Sequence, residues 1–160
     1  MLHSTSDAAL FARLLRFPEE AGDWLAGRCA AQLRRRPGGG GFSLLEHLCH
    51  LRDLERDGFV LRIRRIFDED MPELQEIDGS TLAIERNYQS QDPQLAWRDW
   101  RAARELTVAL LREALPQHAQ RTGIYGGFGV VTLEGLAQGI ATHDESHRQE
   151  MRALLDAMKD

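Results

Sequence analysis

The chain has 160 residues, 20 basic against 25 acidic side chains, a formal net charge of −5 and 42% hydrophobic residues. That length suits one domain over residues 1–160, the apolar share excludes wholesale disorder, and the acidic balance offers no general attraction to nucleic-acid phosphates or anionic membrane. Two cysteines, Cys29 and Cys49, exclude a disulfide framework and a Cys-rich zinc site, which leaves the six histidines as the candidate ligands. The N-terminus, MLHSTSDAALFARLLRF, lacks a basic start followed by a long apolar core, and no apolar run nears the roughly 20 residues that span a bilayer. A cytoplasmic protein with no membrane partner is therefore expected.

Helical periodicity appears in four segments, and none shows sustained alternation with β-branched residues, so the fold class is all-α. The first segment runs from about Ser6 to Arg36, with Pro18 expected to divide it. Pro37 and the glycines 38–41 end it, and Ser43 with Glu46 three residues later forms a capping box that opens a second helix to about Phe67. Residues 68–91 lack clear periodicity and read as a long crossover connection. Asp92 followed by Pro93 caps a third helix that Pro116 is expected to stop. After a glycine-containing loop over residues 123–129, Thr132 caps a last helix to about Met158. Four long helices with a long connection between helices two and three describe a four-helix bundle.

On a helical wheel of about 100° per residue, His47 falls among Leu44, Leu48, Leu51 and Leu54 on the apolar stripe of helix two. His143 and His147 fall with Leu136, Ile140 and Leu154 on that of helix four. Burying an imidazole without a partner costs about 1–3 kcal/mol, so three of them inside one bundle call for a common partner. A divalent metal would satisfy all three, and the i, i+4 spacing of His143 and His147 lets two rings on one helical face share an ion. Three neutral imidazoles suit Zn, Ni, Fe or Cu and leave a coordination position open for water or an external thiolate. His50 lies about 60° from His47 at the stripe's edge, where support of a ligand and exposure are the first readings and a ligand role the lesser one. Glu55 and Asp144 are expected to form ion pairs at the bundle's edge, with orientation of an imidazole the other reading. Arg34, Arg35 and Arg36 read as a solvated helix end, and Cys29 and Cys49 as small packing residues.

The run Phe42-Ser43-Leu44-Leu45-Glu46-His47-Leu48 and the ending Thr132-Leu133 followed by His143-Asp144-Glu145-Ser146-His147 resemble the DinB-like superfamily of metal-binding four-helix bundles. Helix and loop order match over nearly the whole chain, with phenylalanine at Phe42 where tryptophan is frequent. The resemblance implies a triad of His47, His143 and His147 on a divalent ion such as Zn, Ni or Fe. It also implies a homodimer and chemistry on a small molecule, with a low-molecular-weight thiol as one candidate substrate. A metal-dependent hydrolase and a metal-binding module without turnover are the competing readings, and no general base stands out.

Overall fold

The computed structural model describes residues 5–159. Helix α1 (Thr5–Leu25) runs unbroken through Pro18, contrary to expectation, and the division falls instead after Leu25, where Gly27 adopts φ 75° before the short helix α2 (Ala30–Arg34). A proline costs a helix one hydrogen bond, and the apolar face around it outweighs that here, because Leu14, Phe17 and Ala21 are all fully buried. The carbonyl that the missing Pro18 N–H leaves free is that of Leu14, which accepts from Arg104 Nη1 at 2.9 Å, and the Pro18 carbonyl itself accepts from Trp97 Nε1 at 2.7 Å.

The capping box opens α3 (Leu44–Asp53) as expected: Ser43 Oγ accepts from Glu46 N at 3.2 Å and Glu46 accepts from Ser43 N at 2.9 Å. The rod continues through a π-helical turn (Leu54–Phe59) into α4 (Val60–Asp68). One residue too many in that turn re-aims the side chains beyond it, a device frequent at functional sites. Helices α6 (Pro93–His118) and α7 (Leu133–Asp156) complete the four long rods, with Pro116 inside the last turn of α6 rather than ending it. Helix α6 packs on α1 and on the α3–α4 rod, and α7 lies against α1 and touches α3.

The connection between the second and third rods is not a plain loop. It carries β1 (Glu73–Leu74), then α5 (Gly79–Glu85), which is N-capped by Asp78. A single turn over Tyr88–Ser90 follows, entered through Asn87 at φ 45°. The glycine-containing segment forms a hairpin of β2 (Thr122–Tyr125) and β3 (Gly129–Thr132), and β1 pairs parallel to β2. Arg62 ties this three-stranded sheet to α4, its guanidinium lying 4.4 Å from the Tyr125 ring and donating twice to the Gln75 carbonyl.

The crossover seals the outer side of α3. Tyr88 is buried and its hydroxyl donates to Asp53 Oδ2 at 2.8 Å, while Gln89 donates to Ser43 Oγ and to the Arg34 carbonyl. Every residue from Leu44 to Asp53 is consequently buried. The arginines at the end of α2 are not merely solvated: Arg34 donates to the carbonyls of Gln89 and Gln91, and Arg36, exposed like Arg35, pairs with the Glu46 carboxylate. Cys49 is buried and Cys29 exposed. No helix among the described residues is long and apolar enough to cross a membrane.

Candidate metal centre

Four histidines meet where α3 faces α7. One nitrogen from each of His50, His143 and His147 lies within 4.8 Å of the other two, and a second set with the same spacing joins His47, His147 and Glu150. His147 belongs to both sets because its two nitrogens face different neighbours. Its Nδ1 is 2.9 Å from His47 Nδ1, and its Nε2 is 3.1 Å from His143 Nε2. Of the triad expected from sequence, His143 and His147 thus come together as the i, i+4 spacing requires, whereas His47 meets the opposite edge of His147. His50 takes the place beside the helix-four pair. His118 sits in the last turn of α6 with its ring against Phe67, and His3 lies outside the described residues.

Burial keeps all four rings neutral. It lowers His47, His50 and His143 to about 4 and His147 to about 2, assisted by neighbouring rings and, at His143, by the positive charges of Arg104 and Arg62. A neutral imidazole keeps a lone pair for a cation. His50 Nδ1 and His143 Nδ1 are buried without a hydrogen-bond partner, an unfavourable state that a shared electrophile relieves when a ring turns that edge inward. The donor chemistry therefore fits a divalent cation.

The rings are held on every side. Phe42 packs 5.6 Å from His47 and 5.3 Å from His50, and Phe59 lies 5.7 Å from His143. Behind them Arg104 reaches from α6 into the core. Its guanidinium donates to both oxygens of Glu55 at 2.8 Å and to both oxygens of Asp144, and also to the Leu14 carbonyl at 2.9 Å. Glu55 and Asp144 accordingly form neither edge ion pairs nor imidazole contacts but a buried triad with Arg104, adjacent in sequence to ligand candidate His143. Sequence reasoning passed over Arg104 because one arginine among 19 carries no local signal.

Over the outer edge of the cluster opens a groove of about 600 Å³, reached by His47 and Glu150 and walled by Phe42, Leu154 and Met158, with Arg35 at its rim. This is a size that accepts a small organic molecule.

A family model described as the DinB superfamily matches residues 8–151. The chain belongs to the DinB superfamily. Among solved structures, this DinB-superfamily chain is similar to YfiT from Bacillus subtilis, with a TM-score of 0.89 at 18% identity over 99% of this chain and 91% of that one. That protein is described as a probable metal-dependent hydrolase with an unusual four-helix bundle topology. No curated protein matches the chain significantly. Membership accounts for the bundle and for histidine clusters able to hold a metal, and leaves the identity of the metal and the reaction to the site itself.

Two expectations follow from the geometry. A Cβ added at Gly79 would lie 2.3 Å from His50 Cε1 and 2.5 Å from Nδ1, so Gly79→Ala must displace that ring. The variant is expected to lose about 10–100-fold in zinc affinity, the range typical of disturbing a ligand's support, as read by competition with a chromophoric chelator. Affinity within twofold of the parent would show that His50 is not a ligand.

The metal-free protein is expected to be acid-labile well above the carboxylate range. The folded-state values of the four histidines lie below that of an unfolded histidine, about 6.5, so their contribution is complete above about pH 6.5 and is lost as pH falls toward about 4. Urea unfolding should show a fall of about 5 kcal/mol between pH 7 and pH 5, the order expected if unfolding takes up two protons on average across that interval, at about 1.4 kcal/mol per proton per pH unit. A flat profile would contradict neutral burial.

Proposed function

We propose that the chain holds one divalent cation through His50, His143 and His147 and acts with it on a small molecule entering by the groove beside His47. The carrying observation is the mutual approach of one nitrogen from each of these three rings within 4.8 Å, next to buried nitrogens that lack partners. The set shares two members with the triad His47, His143 and His147 expected from sequence, and the orientation of His147 supports it over that triad. A single ring cannot direct both nitrogens at one ion, and Nε2 is the atom that faces His143.

A cation bound there supplies Lewis acidity toward an oxygen or sulfur nucleophile. The chain's own groups do the rest. Three neutral imidazoles add no negative charge and leave the ion's electrophilicity intact, in line with Zn, Ni or Fe. Phe42, Leu154 and Met158 exclude water from the groove wall and receive an apolar portion of the molecule, and the exposed Arg35 favours an anionic end at the rim. Glu150, which also lines the groove, faces His47 Nε2 at 3.6 Å.

Hydrolysis is the leading reaction class, supported by the description of YfiT, with transfer of a low-molecular-weight thiol as the reading that keeps the same nucleophile site. Zinc- or nickel-loaded protein, assayed on a panel of small amides and esters and on thiol–electrophile pairs, is expected to turn over one class. That activity should be lost on chelation and in His143→Ala. Tight metal binding with no turnover across the panel would instead identify a non-catalytic metal-binding module.

A further inference from the structure

We infer that His47 and Glu150 work one step behind the ligands: His47 holds His147 in the tautomer protonated on Nδ1, and Glu150 holds the proton of His47 on Nε2. The inference rests on the ligand set His50, His143 and His147 proposed above.

Two facing imidazole nitrogens at 2.9 Å require one proton between them, so of His47 Nδ1 and His147 Nδ1 one donates and the other accepts. If His147 offers the lone pair of Nε2 on the side of His143, its proton sits on Nδ1 and His47 Nδ1 is the acceptor. A neutral His47 then carries its own proton on Nε2. The group facing that nitrogen is the Glu150 carboxylate, with Oε2 at 3.6 Å. This separation exceeds a hydrogen bond, and the attraction is electrostatic; Glu150, 57% exposed, has room to close it. The reverse arrangement fails twice. A proton on His47 Nδ1 would turn the Nε2 lone pair toward a carboxylate, and it would move the His147 proton to Nε2, where it removes the donor beside His143.

Provided a cation takes the place of the proton between His147 Nε2 and His143 Nε2, one proton arrangement suits the contacts among His47, His147 and Glu150, and it makes His47 a positioning residue rather than a ligand. Its own orientation is set by burial to 1% exposure and by the edge of Phe42. Such partners of ligating histidines fix the tautomer and raise ligand basicity, and their loss costs about 10–100-fold in metal affinity.

The test uses zinc as the probe with the full-length protein, its affinity by chelator competition, imidazole ¹⁵N chemical shifts, and the imidazole count by X-ray absorption. In the parent, His147 should be protonated on Nδ1 with Nε2 metal-shifted, and His47 protonated on Nε2 with no metal shift. His47→Ala should weaken zinc binding about 10–100-fold while three imidazoles remain on the ion. His47→Asn, whose amide oxygen can accept from Nδ1–H, should recover most of that loss, which a folding defect would not allow. Glu150→Gln should weaken binding by a smaller factor, about threefold, the carboxylate being exposed and beyond hydrogen-bond length. A metal-shifted His47, an imidazole lost in His47→Ala, or affinity unchanged within twofold in that variant would overturn the inference and leave the metal site standing. Absence of zinc-shifted nitrogens at His50, His143 and His147 in the parent would overturn the ligand set itself.

Discussion

Arg104→Met is expected to destabilise the protein by about 3–5 kcal/mol, the cost of leaving a buried charge without its partner. Arg104 and Glu55 are both 0% exposed and Asp144 4%, so the variant strands two carboxylates in the core. Burial already pushes the Asp144 carboxyl up while Arg104 pulls it back, so loss of the guanidinium leaves that group to take a proton or face an uncompensated desolvation cost. In a domain of this size the loss corresponds to a fall in Tm of roughly 6–20 °C. The consequence reaches the site, because the triad ties α6 to the π-helical turn, to the Leu14 carbonyl of α1 and to α7 beside His143. A triple variant with apolar residues at Arg104, Glu55 and Asp144 should regain most of the stability, since replacing a whole buried ion cluster is often neutral. A change below about 1 kcal/mol in Arg104→Met would show that the triad does not hold these rods together.

His50→Ala is expected to lower zinc affinity by more than about 100-fold, beyond the 10–100-fold that follows loss of a ligand's supporting partner. His47→Ala should stay within that lower range. The contrast is measured by chelator competition on both variants, with circular dichroism to confirm helix content. Equal losses in the two, or a larger one in His47→Ala, would restore the triad expected from sequence.

The wheel chose His47 over His50 for a physical reason. Such a projection assumes that a helix buries one face and exposes the other, which holds for α7, where His143 and His147 indeed come together. Helix α3 breaks the assumption, being buried all round under a crossover whose covering pieces, α5 and Tyr88, have no strong periodicity of their own. Offset from the apolar stripe therefore said nothing about burial of His50, which is 8% exposed. The one local sign was Gly79, a small residue at the first position of α5 where the backbone comes close to the His50 ring. It is legible only once the crossover is folded.

Boundaries governed by short-range chemistry were readable. Ser43, Asp92 and Thr132 cap the rods as the residue types demand, each accepting from a backbone N–H three residues on. Pro18 and Pro116 were misread because the cost of a proline is local, whereas the burial that outweighs it at Pro18 comes from residues distant in sequence. The strands escaped because they are only two to four residues long: β2 and β3 pair locally as a hairpin, and β1 joins them through pairing across about 50 positions, Glu73 with Ile124. Arg104 and Glu55 could not be joined from the chain alone, since they pair across 49 positions between two different rods.

A crystal structure of the zinc-loaded protein, with the ion located by its anomalous scattering, would show which histidines hold the metal. One strong peak is expected about 2.0–2.1 Å from a nitrogen of each of His50, His143 and His147, with His47 Nδ1 still facing His147 Nδ1. A peak between His47, His147 and Glu150, or none at the histidine cluster, would contradict that ligand set.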